Sequence, residues 1–585
     1  MKYFPLASII SIIILIGYGC ESPTEQKIAF KNTDNTVYTR LPAEPDRINP
    51  CLATSTYSRI VYEQVFLNLL HFDPNTLQLS PQLAKSRPAI ETLPDGQVAY
   101  TFEIHEQATW DNGSPITGED YAFTLKVLLN PNVKAAHIRS YLEFISDFKI
   151  DPDNNKKFTV FTDGTYIIGE AVISGITPIP AYFYDPDNLL AEFSVKEMTD
   201  EKTLASINEN GDQLKVFAEA FNGQEYSREK ISGSGPYRFI EWETGQRIVL
   251  ERKEEWWGNE MAGEFPLLEA KPDKLVFRII PDQNAMIAAL KDQQIDVASQ
   301  IDPRSFVELQ ENEIVKDYFE LHTPSSLVYY YIGMNNNDPK LADKRVRRAL
   351  AHLVNVDELI ETLFYGFGER LVGPIHPAKA YYNRDLNLIE YNPEKARALL
   401  AEAGWEDSNN NGIVDKEIDG QQVELEIDYT ISNASKFATG QSAIFKEDAK
   451  KAGISINIVP KEFSVLIEDT KRRDYEMYSG AWGQDPTVDD PKQLWHSESD
   501  TPDGGNRVSF SNAEVDRLIE EIRLTLDEEK RNELLKEFQR LIYEEQPYIF
   551  LIAPKDRIAI SKRFEASTST RRPGFFVNTF ELQTD

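Results

Sequence analysis

The residues best placed to do chemistry lie in Tyr475-Glu-Met-Tyr-Ser-Gly-Ala-Trp-Gly-Gln-Asp485. The pattern is that of a strand ending in Trp482-x-x-Asp485. A carboxylate in that position, facing an ammonium group inside a closed cleft, would make a charge-assisted hydrogen bond of about 1.5–3 kcal/mol. The same residues also fit a plainer reading, in which Asp485-Pro486 opens a turn after a core strand carrying a core Trp. A second cluster is Asp407-Ser-Asn-Asn-Asn-Gly-Ile-Val-Asp415. Asp407, Asn409, Asn411, Gly412 and Asp415 match the first nine positions of a calcium loop. The twelfth position, which should be a bidentate Glu, is Ile418, flanked by Glu417 and Asp419. A weak structural Ca²⁺ site and a hydrophilic turn both remain open. No other cofactor is implied. The chain has no Gly-x-Ser-x-Gly, no His-Glu-x-x-His and no phosphate loop. Its seven histidines are scattered, none at metal-ligand spacing from another.

Composition narrows the function classes. The net charge of −33, from 95 acids against 62 bases, argues against nucleic acid, which needs clustered Lys and Arg. It argues equally against a basic surface on anionic lipid, and leaves a faint preference for cationic ligands. With 41% hydrophobic and 27% charged residues over a length of 585, the chain reads as a soluble protein with more than one core. Two cysteines, Cys20 and Cys51, supply neither a disulfide framework nor a zinc site.

Residues 1–20 read as a targeting segment. Lys2 precedes the apolar run Leu6 to Ile16, and Gly17 and Gly19 lead into Cys20. The run is too short for a stable spanning helix. It resembles a bacterial lipobox, in which the Cys is acylated, although Gly17 stands where that box usually has Leu. Residues 21–37 then hold a polar tether, Glu21 to Gln26, and the start of the mature chain. The expected location is the periplasmic or cell-surface side of a bacterial membrane, anchored by lipid on Cys20. No ATP or NADH pool exists there, which makes phosphoryl and hydride transfer poor guesses.

The elements that must position these residues alternate between strand and helix. Asn392 caps a helix with Pro393 in its first turn, Ala396, Leu399, Leu400 and Ala403 as its apolar stripe, and Gly404 as its stop. Asn355 opens another. Ser511-x-x-Glu514 and Thr525-x-x-Glu528 both read as capping boxes, as does Thr117-x-x-Asp120 after the hairpin signal Asn112-Gly113. Val328 to Gly333, Leu275 to Ile280 and Tyr548 to Ile552 read as strands. The class is mixed α/β with several sheets.

Ordered blocks carry a resemblance to a known family. The first is Ile48-Asn-Pro50, Val65-Phe-Leu-Asn-Leu-Leu-His-Phe-Asp-Pro74 and Pro81-Gln-Leu-Ala84, with Leu67-Asn68 where the family favours Glu-Gly. Then come Tyr100-Thr-Phe-Glu-Ile104 with Trp110-Asp-Asn-Gly-Ser-Pro-Ile-Thr-Gly-Glu-Asp120, and Gly233-Ser-Gly-Pro-Tyr237 with Trp256-Trp-Gly258. The last is Asp343-Lys-Arg-Val-Arg-Arg-Ala-Leu350. From about residue 38 to about 560 the chain resembles bacterial extracellular solute-binding protein family 5, the oligopeptide- and dipeptide-binding lipoproteins of ABC importers. The resemblance implies a two-lobed periplasmic-binding-protein type II clamp with an extra domain inserted in the first lobe. Lobe one would comprise 38–67, 229–305 and 541–585, the inserted domain 68–228, and lobe two 306–540.

The resemblance also implies roles. Ala481, Trp482 and Gly483 would offer backbone groups to a peptide, and Asp485 would take its α-amino group. Thr54, Ser55 and Thr56 would offer the first lobe's backbone. Main-chain pairing gives affinity without reading side chains, as in strand addition. The implied partners are a peptide ligand, ABC permease subunits and, through the lipid alone, the membrane, with the protein itself a non-catalytic monomer. Glycan, haem or glutathione-like cargo in the same fold is an alternative, and a secreted glycoside hydrolase is the enzyme-class alternative.

Overall fold

The computed structural model describes residues 30–502 and 504–583. The targeting segment and Cys20 lie outside the described residues.

Three sheets organise the chain. A seven-stranded sheet runs in the order Phe319–His322, Ile558–Ser561, Val297–Ala298, Thr36–Leu41, Lys274–Ile279, Arg247–Arg252, Tyr237–Glu243. A five-stranded sheet runs Ser455–Lys461, Glu426–Ser432, Met477–Gly483, Val328–Met334, Tyr548–Phe550. A four-stranded sheet runs Ala89–Thr92, Val98–Glu103, Asn154–Thr162, Ile145–Asp151. The first sheet is assembled from distant stretches: Thr36–Leu41 lies parallel to Lys274–Ile279, with Thr36 opposite Lys274 and Leu41 opposite Ile279. A buried ion pair, Arg563 Nε to Asp296 at 2.6 Å, ties the C-terminal stretch to that sheet, and Arg563 also donates to the carbonyl of Asp34 at 2.7 Å. These extra bonds offset the cost of taking both charges out of water.

The four-stranded sheet shares one hydrophobic core with the first. Phe102, Tyr121, Phe158 and Val160 pack in the same cluster as Val37, Leu250, Phe277 and Ile560. The second lobe has its own cores, one around Ile332, Leu350, Ile427 and Ile456, the other around Tyr331, Trp495, Ile519 and Phe538.

Around residues 306 and 541, strand pairing shows which sheet each stretch joins. Phe319–His322 is paired with Ile558–Ser561 in the first sheet, and the helices Pro303–Gln310 and Glu313–Tyr318 before it pack with Met286 and Leu290. At the other end Tyr548–Phe550 is paired with Val328–Met334 in the second sheet. The five-stranded sheet thus draws its strands from the stretch between His322 and Ile558. The stretch expected as one strand, Tyr548 to Ile552, divides. After Phe550 the chain continues as Ile552–Pro554 and pairs with Gly368–Arg370 instead.

Local signals explain most helix ends. Thr117 and Asp120 close a capping box on Gly118–Leu129, and Gly113, at φ +81°, makes the turn before it. Asn392 and Asn355 cap Pro393–Glu402 and Val356–Leu363. Two caps differ from expectation. Asn512, not Ser511, accepts the first amides of Ala513–Leu524, because its backbone is extended there. Asp527, not Thr525, caps Glu528–Glu545; the Thr525 hydroxyl donates back to the carbonyl of Glu521 at 2.7 Å.

Candidate functional site

The strand Met477–Gly483 is paired along its whole length with Val328–Met334, from Met477 opposite Met334 to Gly483 opposite Val328. On its other side Glu426–Ser432 pairs only with Met477 and Tyr478. Beyond the Ser479 amide, which the Thr430–Tyr478 bridge engages, no strand pairs that edge up to Gly483. The amide of Gln484 donates to the carbonyl of Leu327 at 2.8 Å. Backbone groups alternate along a strand, so Gly480 and Trp482 also turn their amides and carbonyls toward Val328–Met334. Ser479, Ala481 and Gly483 turn theirs the other way, and of these Ala481 and Gly483 lie beyond the last paired residue. Of the three residues proposed from sequence as backbone donors and acceptors, Ala481 and Gly483 are on the open edge and Trp482 is not.

The Trp482 side chain belongs to the second lobe. Its ring lies parallel to that of Tyr331, with 6.3 Å between centroids and a 7° tilt, and Tyr331 stacks on Tyr548 at 4.1 Å and 4°. Gly480 makes room for this column, since a Cβ there would come within 2.4 Å of the Tyr331 ring. The open edge is therefore backed by a rigid aromatic wall.

Asp485 follows two residues beyond the strand and is exposed. It lines a cavity of about 360 Å³ between the lobes, within the size range of small-ligand sites. The other charged groups around this cavity are Arg59, Glu63, His71, Arg571 and Arg572. Arg59 is on the helix Thr56–Tyr62, and Glu63 follows its end. Arg571 is almost fully covered; it donates to Glu63 Oε2 at 3.0 Å and to the carbonyl of Phe72 at 3.1 Å, and touches His71 Nε2. Burial pushes the Glu63 carboxyl up, but Arg571, His71 and Arg59 together hold it at about 2. Burial and Arg571 hold His71 below its ordinary value, and Glu63 opposes them. Asp485 makes no hydrogen bond or ion pair among the described residues, although Arg59 and Arg571 both feel its charge.

Thr54, Ser55 and Thr56 are occupied with local structure. The amides of Thr54 and Ser55 donate to the Asp46 carboxylate at 3.1 and 3.3 Å. Ser55 caps the helix, accepting from the amide of Tyr57 at 3.1 Å, and Thr56 is its first residue. None of the three lines the cavity, whereas Arg59, Tyr62 and Glu63 from the next turns do. Sequence reasoning did not single out the cavity's arginines. The available signals were the Arg571-Arg572 doublet before Pro573 and the Arg59 to Glu63 spacing on a short helix.

The loop 407–415 is satisfied by its own turn. Asp407 accepts the amides of Asn411 and Gly412 at 3.1 and 2.9 Å, and Asn409 accepts that of Asn411 at 2.9 Å. Asn411 Oδ1 accepts the amide of Ile413 at 2.8 Å, and Asp415 is buried against the Ser408 amide and hydroxyl. Elsewhere among the described residues His496, Glu498 and Glu520 converge. Lys492 Nζ already supplies a cation there, 2.9 Å from Glu520 and 3.1 Å from Glu498.

Known proteins share this architecture. The oligopeptide-binding protein AppA of Bacillus subtilis is 27% identical over 530 residues, covering 89% of this chain and 87% of AppA. Heme-binding protein A of Haemophilus influenzae is 23% identical over 549 residues, covering 90% and 88%. The solved structure of HbpA2 from Haemophilus parasuis superposes with a TM-score of 0.74 at 18% identity, over 94% of this chain and all of that one, which fixes the fold as a type II periplasmic-binding-protein clamp. The family model for bacterial extracellular solute-binding proteins, family 5 Middle, matches residues 78–505. With that match spanning most of its length, the chain belongs to the family 5 bacterial extracellular solute-binding proteins.

Proposed function

We propose that this protein captures peptides in the cleft between its lobes and delivers them to the permease of an ABC importer. The observation that carries the reading is the open strand edge at Ala481 and Gly483 running up to the unpaired carboxylate of Asp485. A peptide laid along that edge continues the sheet through its own backbone, so its side chains need not be read. Its α-amino group then meets Asp485. A ligand touching both walls binds the closed clamp better than the open one, and that difference drives closure. Family membership puts this work outside the cytoplasm, and acylation at Cys20 would hold the protein to the membrane as a monomer. AppA, by its name an oligopeptide-binding protein, supports a peptide cargo; the haem-binding relative shows why the cargo must be tested.

Calorimetry with free and N-acetylated peptides is that test. Asp485→Ala should weaken binding of the free peptide at least about tenfold, the expected worth of one charge-assisted hydrogen bond. Binding of the acetylated peptide should change little. Equal losses for both would remove Asp485 from the anchor role, and haem binding with no peptide binding would replace the cargo.

A further inference from the structure

The molecule is strongly acidic, yet its cleft is not. Two carboxylates, three arginines and a histidine line the cavity: Glu63, Asp485, Arg59, Arg571, Arg572 and His71. Glu63 and Arg571 are consumed by each other, the guanidinium lying 3.0 Å from the carboxylate with both side chains largely covered. His71 contacts both partners and is taken up by that cluster. Three charges remain for a ligand. Arg59 touches only the edge of Glu63, at 3.9 Å, and keeps nearly half of its side chain exposed. Arg572 is exposed and forms no hydrogen bond or ion pair among the described residues; its field reaches Asp556 and Tyr330 without a direct contact to either. Asp485 is the third, and the only one that is negative.

An ordinary peptide brings one ammonium and one carboxylate. Asp485 satisfies the first and either arginine the second, which leaves one guanidinium facing a closing, low-dielectric space without a partner. An uncompensated charge in such a space is unfavourable, while a paired one gains from the same low dielectric. A planar guanidinium is also the group best matched to a carboxylate, through two parallel hydrogen bonds. We infer that the cleft selects short peptides carrying one more carboxylate than ammonium, with Asp485 holding the amine and Arg59 and Arg572 each holding a carboxylate. Shortness follows from confinement: all three groups line a single cavity of about 360 Å³, and an extended peptide advances roughly 3.3–3.6 Å per residue. Two or three residues bring both ends and an acidic side chain within reach of these groups. This inference rests on the peptide reading above and narrows it, against the direction that net charge alone suggests.

The probes are Ala-Ala-Ala, Ala-Asp-Ala and Ala-Lys-Ala, titrated by calorimetry into the intact protein and into the Arg59→Gln/Arg572→Gln variant. Ala-Asp-Ala should bind the intact protein about tenfold or more tighter than Ala-Lys-Ala, one charge-assisted contact against none. In the variant that preference should fall to within about threefold, with Ala-Ala-Ala weakened less than Ala-Asp-Ala. Both arginines are at least partly exposed, so the variant should keep its melting temperature, and a circular-dichroism melt checks that it folds. Binding of all three tripeptides with equal affinity, or a preference for Ala-Lys-Ala, overturns the inference and leaves the peptide reading standing. Failure of every tripeptide to bind, while longer peptides do, overturns the length and leaves the clamp. Failure of all peptides removes both.

Discussion

Glu63 offers a stability test that needs no ligand. Its carboxyl is held at about 2 against an ordinary 4.5. A group whose folded value is depressed stabilises the fold above its unfolded value and loses that contribution as pH falls through the folded one. At 1.36 kcal/mol for each tenfold change in proton affinity, Glu63 contributes about 3 kcal/mol at neutral pH. By pH 3 about 2 kcal/mol of that is gone. Arg571 is also pulled below its ordinary value by burial, but an arginine stays charged throughout this range, so the pH dependence comes from the carboxyl together with His71, which touches it and whose added charge on acidification helps hold it down. Replacing Glu63 by Gln keeps the shape and removes the titration, at the cost of leaving a covered guanidinium unpaired. Urea denaturation of wild type and Glu63→Gln at pH 7, 5, 4 and 3 measures the difference. The wild-type advantage should be about 3 kcal/mol at pH 7 and should shrink by about 2 kcal/mol by pH 3, almost all of the fall lying below pH 5. A difference that stays constant from pH 7 to pH 3 would refute the assignment of this pair as the charged anchor of the cavity wall.

Two further outcomes are expected. Gly480→Ala drives a methyl group into the Tyr331 ring, which stands 2.4 Å from the ideal Cβ; overpacking should cost about 1–3 kcal/mol in chemical denaturation, and an unchanged midpoint would mean that the aromatic column yields freely. Cys51 is fully buried with its thiol pushed up to about 12 by desolvation. It should resist iodoacetamide at pH 8 in the folded protein and react in denaturant, as read by peptide mapping; fast native labelling would place the thiol at the surface.

The fold was legible because its signals are local or blockwise. Asn392 with Pro393, and Thr117 with Asp120, fix helix starts through bonds made within a turn. The division of Tyr548 to Ile552 was not legible, because Phe550 and Ile552 are equally apolar and only their distant partners, Val328–Met334 and Gly368–Arg370, separate them. The pairing of Phe319–His322 was not legible for the same reason: it looks like any short strand until Ile558–Ser561 is beside it. Asp485, singled out through the resemblance at the end of a strand pattern, lines the cavity. Arg571 and Arg572 were not singled out, since they reach the cavity from a stretch more remote in sequence than any motif spans. The backbone role of Trp482 depended on strand register, and one residue of register decides which edge an amide faces.

The order in which the first sheet can form has a consequence for biogenesis. Thr36–Leu41 is an interior strand, yet both of its neighbours, Lys274–Ile279 and Val297–Ala298, come much later in the chain. During synthesis at about 5–20 residues per second, its partners follow on the order of 10–50 s behind it. The Arg563 clasp comes later still. A nascent chain of this design cannot complete its largest sheet early. That delay keeps the polypeptide threadable, a useful property in any protein that must pass through a narrow pore before it folds, and it also makes the exposed strand a target for chaperones in the interval.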